Sequence, residues 1–304
     1  MHHISGIILT VLLYYLVKKL RIIYFSPLSI FNGPALASLS DLYCGYYDVI
    51  LQGRMLAHLK VLHNRYGPVV RIAPNTLHFN RPKAYFDIYR YDNSLTKDPR
   101  LYAVLGIKES SIGLIDVKSS QIRREVLSPF LSRRAVLELE KVIQTKVDKF
   151  IGLLLAYHPK NKPANIHYAL RCLTLDIIWQ YCFADDFKSI EAKDFLHPTV
   201  TSIQTQIRAF WVLKYLPFLM PTIFAMPERL LRFLRPSMLD YIESRKRCAR
   251  IVDSLLENPT ILQNMEQQTI FHHLIVPEEH KKERHPTPSR RSLIDEAMAL
   301  VQAG

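Results

Sequence analysis

Residues 119–157 read SSQIRREVLSPFLSRRAVLELEKVIQTKVDKFIGLLLAY. The first part, 119–127, has helical spacing and stops near Pro129, which cannot continue a helix. From Arg133 onward, Val136, Leu139, Val142, Ile143, Val147, Phe150 and Leu154 recur every three or four positions. That period predicts one long amphipathic helix over 133–157 with those side chains on its buried face.

The stretches on either side extend the same pattern. After a polar break at 158–163, Asn165, Ile166 and His167 suggest a short strand, and 168–184 is apolar on most faces, as a helix deep in a core should be. Towards the amino terminus, Met55, Leu56, Leu59 and Leu62 predict a surface helix over 53–66 that stops at Gly67-Pro68. Two short strands at 69–72 and 76–79 flank Pro74-Asn75 and predict a β-hairpin. Pro82 opens a further helix, 83–91. Residues 93–117 form a long loop with room for one short helix, and loops of that length in a compact body are often functional.

Towards the carboxy terminus, 195–236 mixes helical pieces with Phe210, Trp211, Tyr215, Phe218, Phe224 and Phe233 and five prolines, a composition suited to hinged, lipid- or ligand-facing helices. Residues 238–256 are helical again, and 272–291 is a polar linker whose four histidines lack ligand-like spacing. A last helix starts at Ser289 with Leu293, Ile294, Ala297, Leu300 and Val301 on its apolar face. The expected fold class is therefore mainly α with a small β element.

Composition narrows the function. With 304 residues, 49% of them apolar, the chain can bury a sizeable core. Its 9 glycines are few for phosphate-cradling loops, and neither common nucleotide fingerprint occurs. A net charge of +13 attracts an acidic partner, yet no nucleic-acid motif accompanies the basic clusters, so no nucleic-acid partner is expected. Cys44, Cys172, Cys182 and Cys248 form no paired or ligand-like pattern and read as buried or free thiols. No metal site and no catalytic constellation emerges from spacing.

Residues 4–17 (ISGIILTVLLYYLV) are uncharged and are followed by Lys18, Lys19 and Arg21. The run reaches about 21 Å against a hydrocarbon core of about 30 Å, and spans if the lysines snorkel. A cleaved signal peptide is the rival reading, although Ala35-Leu36-Ala37, its small-residue site, lies far beyond the apolar run. Residues 1–23 are thus expected to be a single-pass anchor with the body facing the cytosol.

Several segments, taken in order, resemble fungal microsomal cytochrome P450 monooxygenases: YFSPLS (24–29) with FNGP (31–34) is similar to their proline-containing hinge, and YGPVVRIAPN (66–75) to their first hairpin. RREVLSPFLS (123–132) resembles the heme-side helix, and LIDEA (293–297) through Ala303-Gly304 the start of the oxygen-activating helix. LELE (137–140), LTLDII (173–178) and YCF (181–183) are similar to the trichodiene oxygenase-like subgroup. The resemblance implies an anchor at 1–23, a hinge and lead-in at 24–52, and an incomplete catalytic domain over 53–304 that ends early in the oxygen-activating helix.

It also implies heme as the cofactor, NADPH-cytochrome P450 reductase and an apolar small molecule as partners, and the endoplasmic reticulum membrane as the location. Arg124 matches the position that pairs with a heme propionate, and Ser120 stands where the family usually has His or Trp. Ile107, Ile112, Phe210, Trp211, Ala299 and Ala303 fall where the family lines its substrate pocket. The family's iron-ligating cysteine loop, F-x-x-G-x-R-x-C-x-G, has no counterpart among the 304 residues. The expectation is a truncated, inactive relative of a heme-thiolate monooxygenase of secondary metabolism that binds no heme by itself. Two alternatives stay open: part of an active monooxygenase whose carboxy-terminal portion lies outside this sequence, and a non-enzymatic membrane-surface binding protein.

Overall fold

A computed structural model describes residues 13, 14, 17, 21, 23–90, 95–157, 163–265, 268–275 and 287–303. The chain divides into two compact units, Met1–Leu95 with Trp211–Leu216, and Thr96–Phe210 with Pro217–Gly304. Helix dominates both, and the sheet among the described residues has two strands.

In the first unit, helix α1 (Met55–Tyr66) precedes strands β1 (Val69–Ala73) and β2 (Thr76–Phe79), and helix α2 (Pro82–Ile88) follows with proline at its start. The strands pair antiparallel, with Val70 opposite His78. Met55, Leu59 and Leu62 pack with Cys44 and Val70, whereas Leu56 is 75% exposed, contrary to the expected apolar face.

His63 joins the helix to the sheet. Its Nδ1 lies 2.7 Å from the carbonyl oxygen of Gly67, an acceptor only, so Nδ1 carries the proton. Nε2 then accepts from Nδ1–H of His78 at 2.7 Å. Burial, and then the neighbouring His63, hold the His78 pKa below its ordinary 6.5, and burial does the same for His58. A histidine kept neutral by folding gives its full stabilisation above the unfolded value and loses it as pH falls through the folded value. Thermal melts taken downward from neutral pH should therefore show the hairpin unit weakening below pH 6.5. His78→Gln should flatten that dependence, and an unchanged slope in this variant would refute the assignment.

The second unit contains helices α3 (Val117–Leu127), α4 (Glu140–Leu155), α5 (Ile166–Phe183), α6 (Pro198–Tyr215, whose last turn belongs to the first unit), α7 (Pro236–Glu257), α8 (Ile270–Ile275) and α9 (Arg290–Ala303). Its core runs through α5, α7, α8 and α9, with Trp179 packed at a tilt against the rings of Phe183 and Phe187.

Four sequence-based expectations need correction. The helix expected over 133–157 breaks at Leu139, where the backbone N–H turns back to Val136 and Leu137 and ends the short helix Arg133–Glu138 before α4 starts. Leu139 is buried and Val136 is 46% exposed, because the restart shifts the face each presents.

The strand expected at 165–167 is a helix start: Asn165 sits in extended backbone and its side chain accepts from the Tyr168 N–H, an N-cap that launches α5. The linker expected over 272–291 opens inside α8, whose Phe271 and Leu274 are buried and whose His272 is tied to Thr269 and Leu262. Residues 276–286 lie outside the described residues. Finally, α9 is not one-sided. All of 292–299 are buried, including Asp295 and Glu296.

The expected anchor, 1–23, lies largely outside the described residues. Among those that are described, no helix is long and apolar enough to cross a membrane.

Candidate functional site

Two adjacent carboxylates on the first turns of α9 organise the second unit. Asp295 is wholly buried and Glu296 almost so, a cost that only paired, hydrogen-bonded carboxylates can meet. Asp295 Oδ1 pairs with Arg245 of α7 at 2.5 Å, and its Oδ2 accepts the backbone N–H of Glu109 at 3.0 Å. Glu296 Oε2 takes Arg123 of α3 at 2.9 Å and the N–H of Ser111 at 2.8 Å, while Oε1 takes the Ser111 hydroxyl at 2.6 Å. Ser292, one turn earlier, receives Arg123 and donates to the carbonyl of Glu109.

These bonds seat residues 106–113 on α9. The loop is also closed on itself, since the Ser110 hydroxyl donates to Ile107 O and accepts from Gly113 N. Gly106 has φ +72°, and Arg245 reaches its carbonyl at 3.4 Å. A Cβ at Gly113 would stand 1.9 Å from the Ile107 carbonyl oxygen. Gly113→Ala must therefore open the turn, and a loss of about 1–3 kcal/mol in urea unfolding is expected. Retention of wild-type stability would mean that the loop adapts freely.

The expected pocket residues separate into groups. Ile107 and Ala299 are both buried in one apolar cluster. Ile112 is 42% exposed, with its carbonyl held by Lys97 Nζ at 2.7 Å. Ala303 is exposed and Phe210 half-buried. Trp211 belongs to the first unit, where the Lys214 ammonium lies 4.7 Å from its ring centroid.

On α3, Arg123 and Arg124 take different roles. Arg123 points inward to Glu296, while Arg124 is exposed and bonds only weakly to the Ser120 carbonyl one turn back. Ser120 is buried, and its hydroxyl has no partner among the described residues. Burial, and then the Arg124 charge, hold the Lys97 pKa below its usual value. Two neighbouring cations, one of them half-buried, suit a carboxylate guest such as a heme propionate.

The donor set for iron does not fit. All four cysteines are buried, and burial pushes their thiols up: Cys44 to about 11, Cys248 to about 12, and Cys172 and Cys182 in the same direction. The thiolate is the metal-ligating form, so these positions disfavour it. Cys44 and Cys172 already donate to the carbonyls of Ile72 and Phe195. No cysteine among the described residues thus offers a ready thiolate to iron.

Lys97, Arg245, Asp295 and Glu296 carry no periodic signal of this network in the sequence. Periodicity marks apolar faces, and a charged residue inside a buried helix gives no periodic signal. The usable sign was adjacency: two acidic residues interrupting an apolar run on a helix that otherwise reads as core.

Comparison with known proteins bears on the family of the chain. The cytochrome P450 family model matches residues 44–304. The conidiogenone synthase PchP450 of Penicillium rubens is 32% identical over 281 residues, covering 92% of this chain and 56% of the relative. The cytochrome P450 monooxygenase macH of Penicillium terrestre is 25% identical, covering 97% and 58%, and the tryptophan 6-hydroxylase fscE of Fusarium equiseti is 29% identical, covering 71% and 43%. The chain spans a little over half the length of the first two relatives.

Proposed function

The chain belongs to the cytochrome P450 family, and from that premise we propose that its 304 residues form the amino-terminal, substrate-facing part of a heme-thiolate monooxygenase of fungal secondary metabolism. The substrate class is an apolar small molecule, a terpenoid or polyketide, as the trichodiene oxygenase-like segments suggest. The reading rests chiefly on the seating of residues 106–113 against α9, which brings Ile107 and Ala299, from two segments that line the family's pocket, into one apolar cluster.

Arg124, Ser120 and Lys97 are the residues proposed to hold the propionate side of heme. When bound, heme supplies the iron-centred activation of dioxygen, with a thiolate pushing electron density towards the bond to be broken. The polypeptide of these 304 residues offers no such thiolate, so oxygenation by it alone is not expected.

A microsomal setting with a reductase partner follows from the family. Surface chemistry supports the membrane side of it. In the first unit Tyr24, Phe25, Ile30 and Leu36 are 68–80% exposed. In the second, Phe218, Leu230, Phe233 and Leu234 are exposed on segments that also carry Arg229, Arg232 and Arg235, a mixture suited to anionic lipid.

The test is to express the open reading frame containing these residues in yeast microsomes with a reductase and supply a panel of apolar terpenoids and polyketides. A product carrying one added oxygen atom, dependent on NADPH, is expected. Microsomes that hold the protein but neither bind heme nor oxidise any panel member would overturn the assignment.

A further inference from the structure

Glu296 has more partners than a helix–helix ion pair requires. Its two oxygens collect three donors from two other elements: the N–H and hydroxyl of Ser111 in the loop and the guanidinium of Arg123 in α3. The same guanidinium donates to Ser292 at 2.8 Å, and Ser292 donates to Glu109 O at 2.7 Å. The bonds make a closed circuit through α9, α3 and the loop. A buried ion pair adds little stability over apolar side chains of equal volume, and in some proteins its contribution is to fix one geometry against others.

Successive residues on a helix point about 100° apart. Holding Arg123 inward therefore sets where Arg124 points, and with it the exposed cation beside Lys97. The carboxylate that holds Arg123 also holds Ser111, whose neighbour Ile112 is gripped on its other side by Lys97. Loop position and α3 rotation thus share one anchor.

We propose that Glu296 is a positioning residue that couples the substrate-facing loop 106–113 to the heme-side helix α3, so that loop placement, and through it substrate selection, depends on this single carboxylate. The part concerning substrate rests on the monooxygenase reading; the coupling itself does not.

Hydrogen–deuterium exchange on the 304-residue chain tests the coupling without heme. In Glu296→Gln, exchange across 106–114 and in α3 should accelerate about tenfold, with α5 unchanged. Ser111→Ala leaves the ion pair intact and guards against a variant that fails to fold. It should accelerate exchange about threefold in the loop and leave α3 unchanged. Unchanged loop exchange, or equal acceleration in α5, overturns the proposal.

In the full-length, heme-loaded enzyme, the substrate-induced change in heme absorbance should report an affinity about tenfold weaker for Glu296→Gln at equal heme content. Faster loop exchange with unaltered affinity overturns the selection role and leaves the family's reaction untouched. A wild-type enzyme that loads no heme overturns that reaction instead, and the exchange result alone then decides the coupling.

Discussion

Asp295→Ala is expected to lower the unfolding free energy by about 3–5 kcal/mol, towards the lower end of that range because Arg245 keeps some contact with solvent. The substitution removes two things together. Arg245, 29% exposed, loses the carboxylate 2.5 Å away, and the Glu109 N–H loses its acceptor. Burial works against the Arg245 charge, yet the bond and charge of Asp295 hold its pKa above the ordinary value. Asp295→Asn keeps an acceptor for Glu109 and should fall between wild type and alanine.

The double variant Asp295→Ala with Arg245→Met separates pair from packing. With no buried charge left unmatched, it should recover most of the loss, so a double-mutant cycle in urea should be strongly non-additive, with a coupling at least as large as that recovery. A loss below about 1 kcal/mol for Asp295→Ala, or strict additivity in the cycle, would show the network to be ornamental to stability.

The sequence revealed the scaffold better than the site, for physical reasons visible at particular residues. The hairpin at 69–79 and helix α5 carry strong local signals, turn chemistry in one and continuous apolarity in the other, and both formed. The break at Leu139 carries none: its neighbours Glu138 and Glu140 are ordinary helix formers, and the restart is set by tertiary packing that buries Leu139 while leaving Val136 out. Asn165 was misread because three residues are too few to separate a strand from a helix cap. The buried Asp295 and Glu296 were illegible as a clamp because their partners, Arg245, Arg123, Glu109 and Ser111, are distant in sequence. Arg124 and Ser120 came from resemblance, and the structure adds their exposed and buried settings and the neighbouring cation Lys97.

The largest effect concerns the cofactor. The purified 304-residue polypeptide, reduced and exposed to carbon monoxide in the presence of heme, is expected to show no Soret band of thiolate ligation, a complete loss relative to an intact family member. The argument is chemical. Cys182 and Cys248 are fully buried and each is made harder to ionise by burial, while Cys44 and Cys172 spend their thiol protons on backbone carbonyls. Ligation at any of the four would require a thiolate in a site that burial has selected against, and opening the core around it. Replacing all four by alanine should therefore leave any residual heme absorbance unchanged. Replacing Arg124 and Lys97 by glutamine should weaken that residual association, because those neighbouring cations are the ones proposed to meet the propionates. A thiolate-type band from the wild-type polypeptide that disappears in the four-alanine variant would refute this and identify an iron ligand among cysteines that the structure assigns to packing.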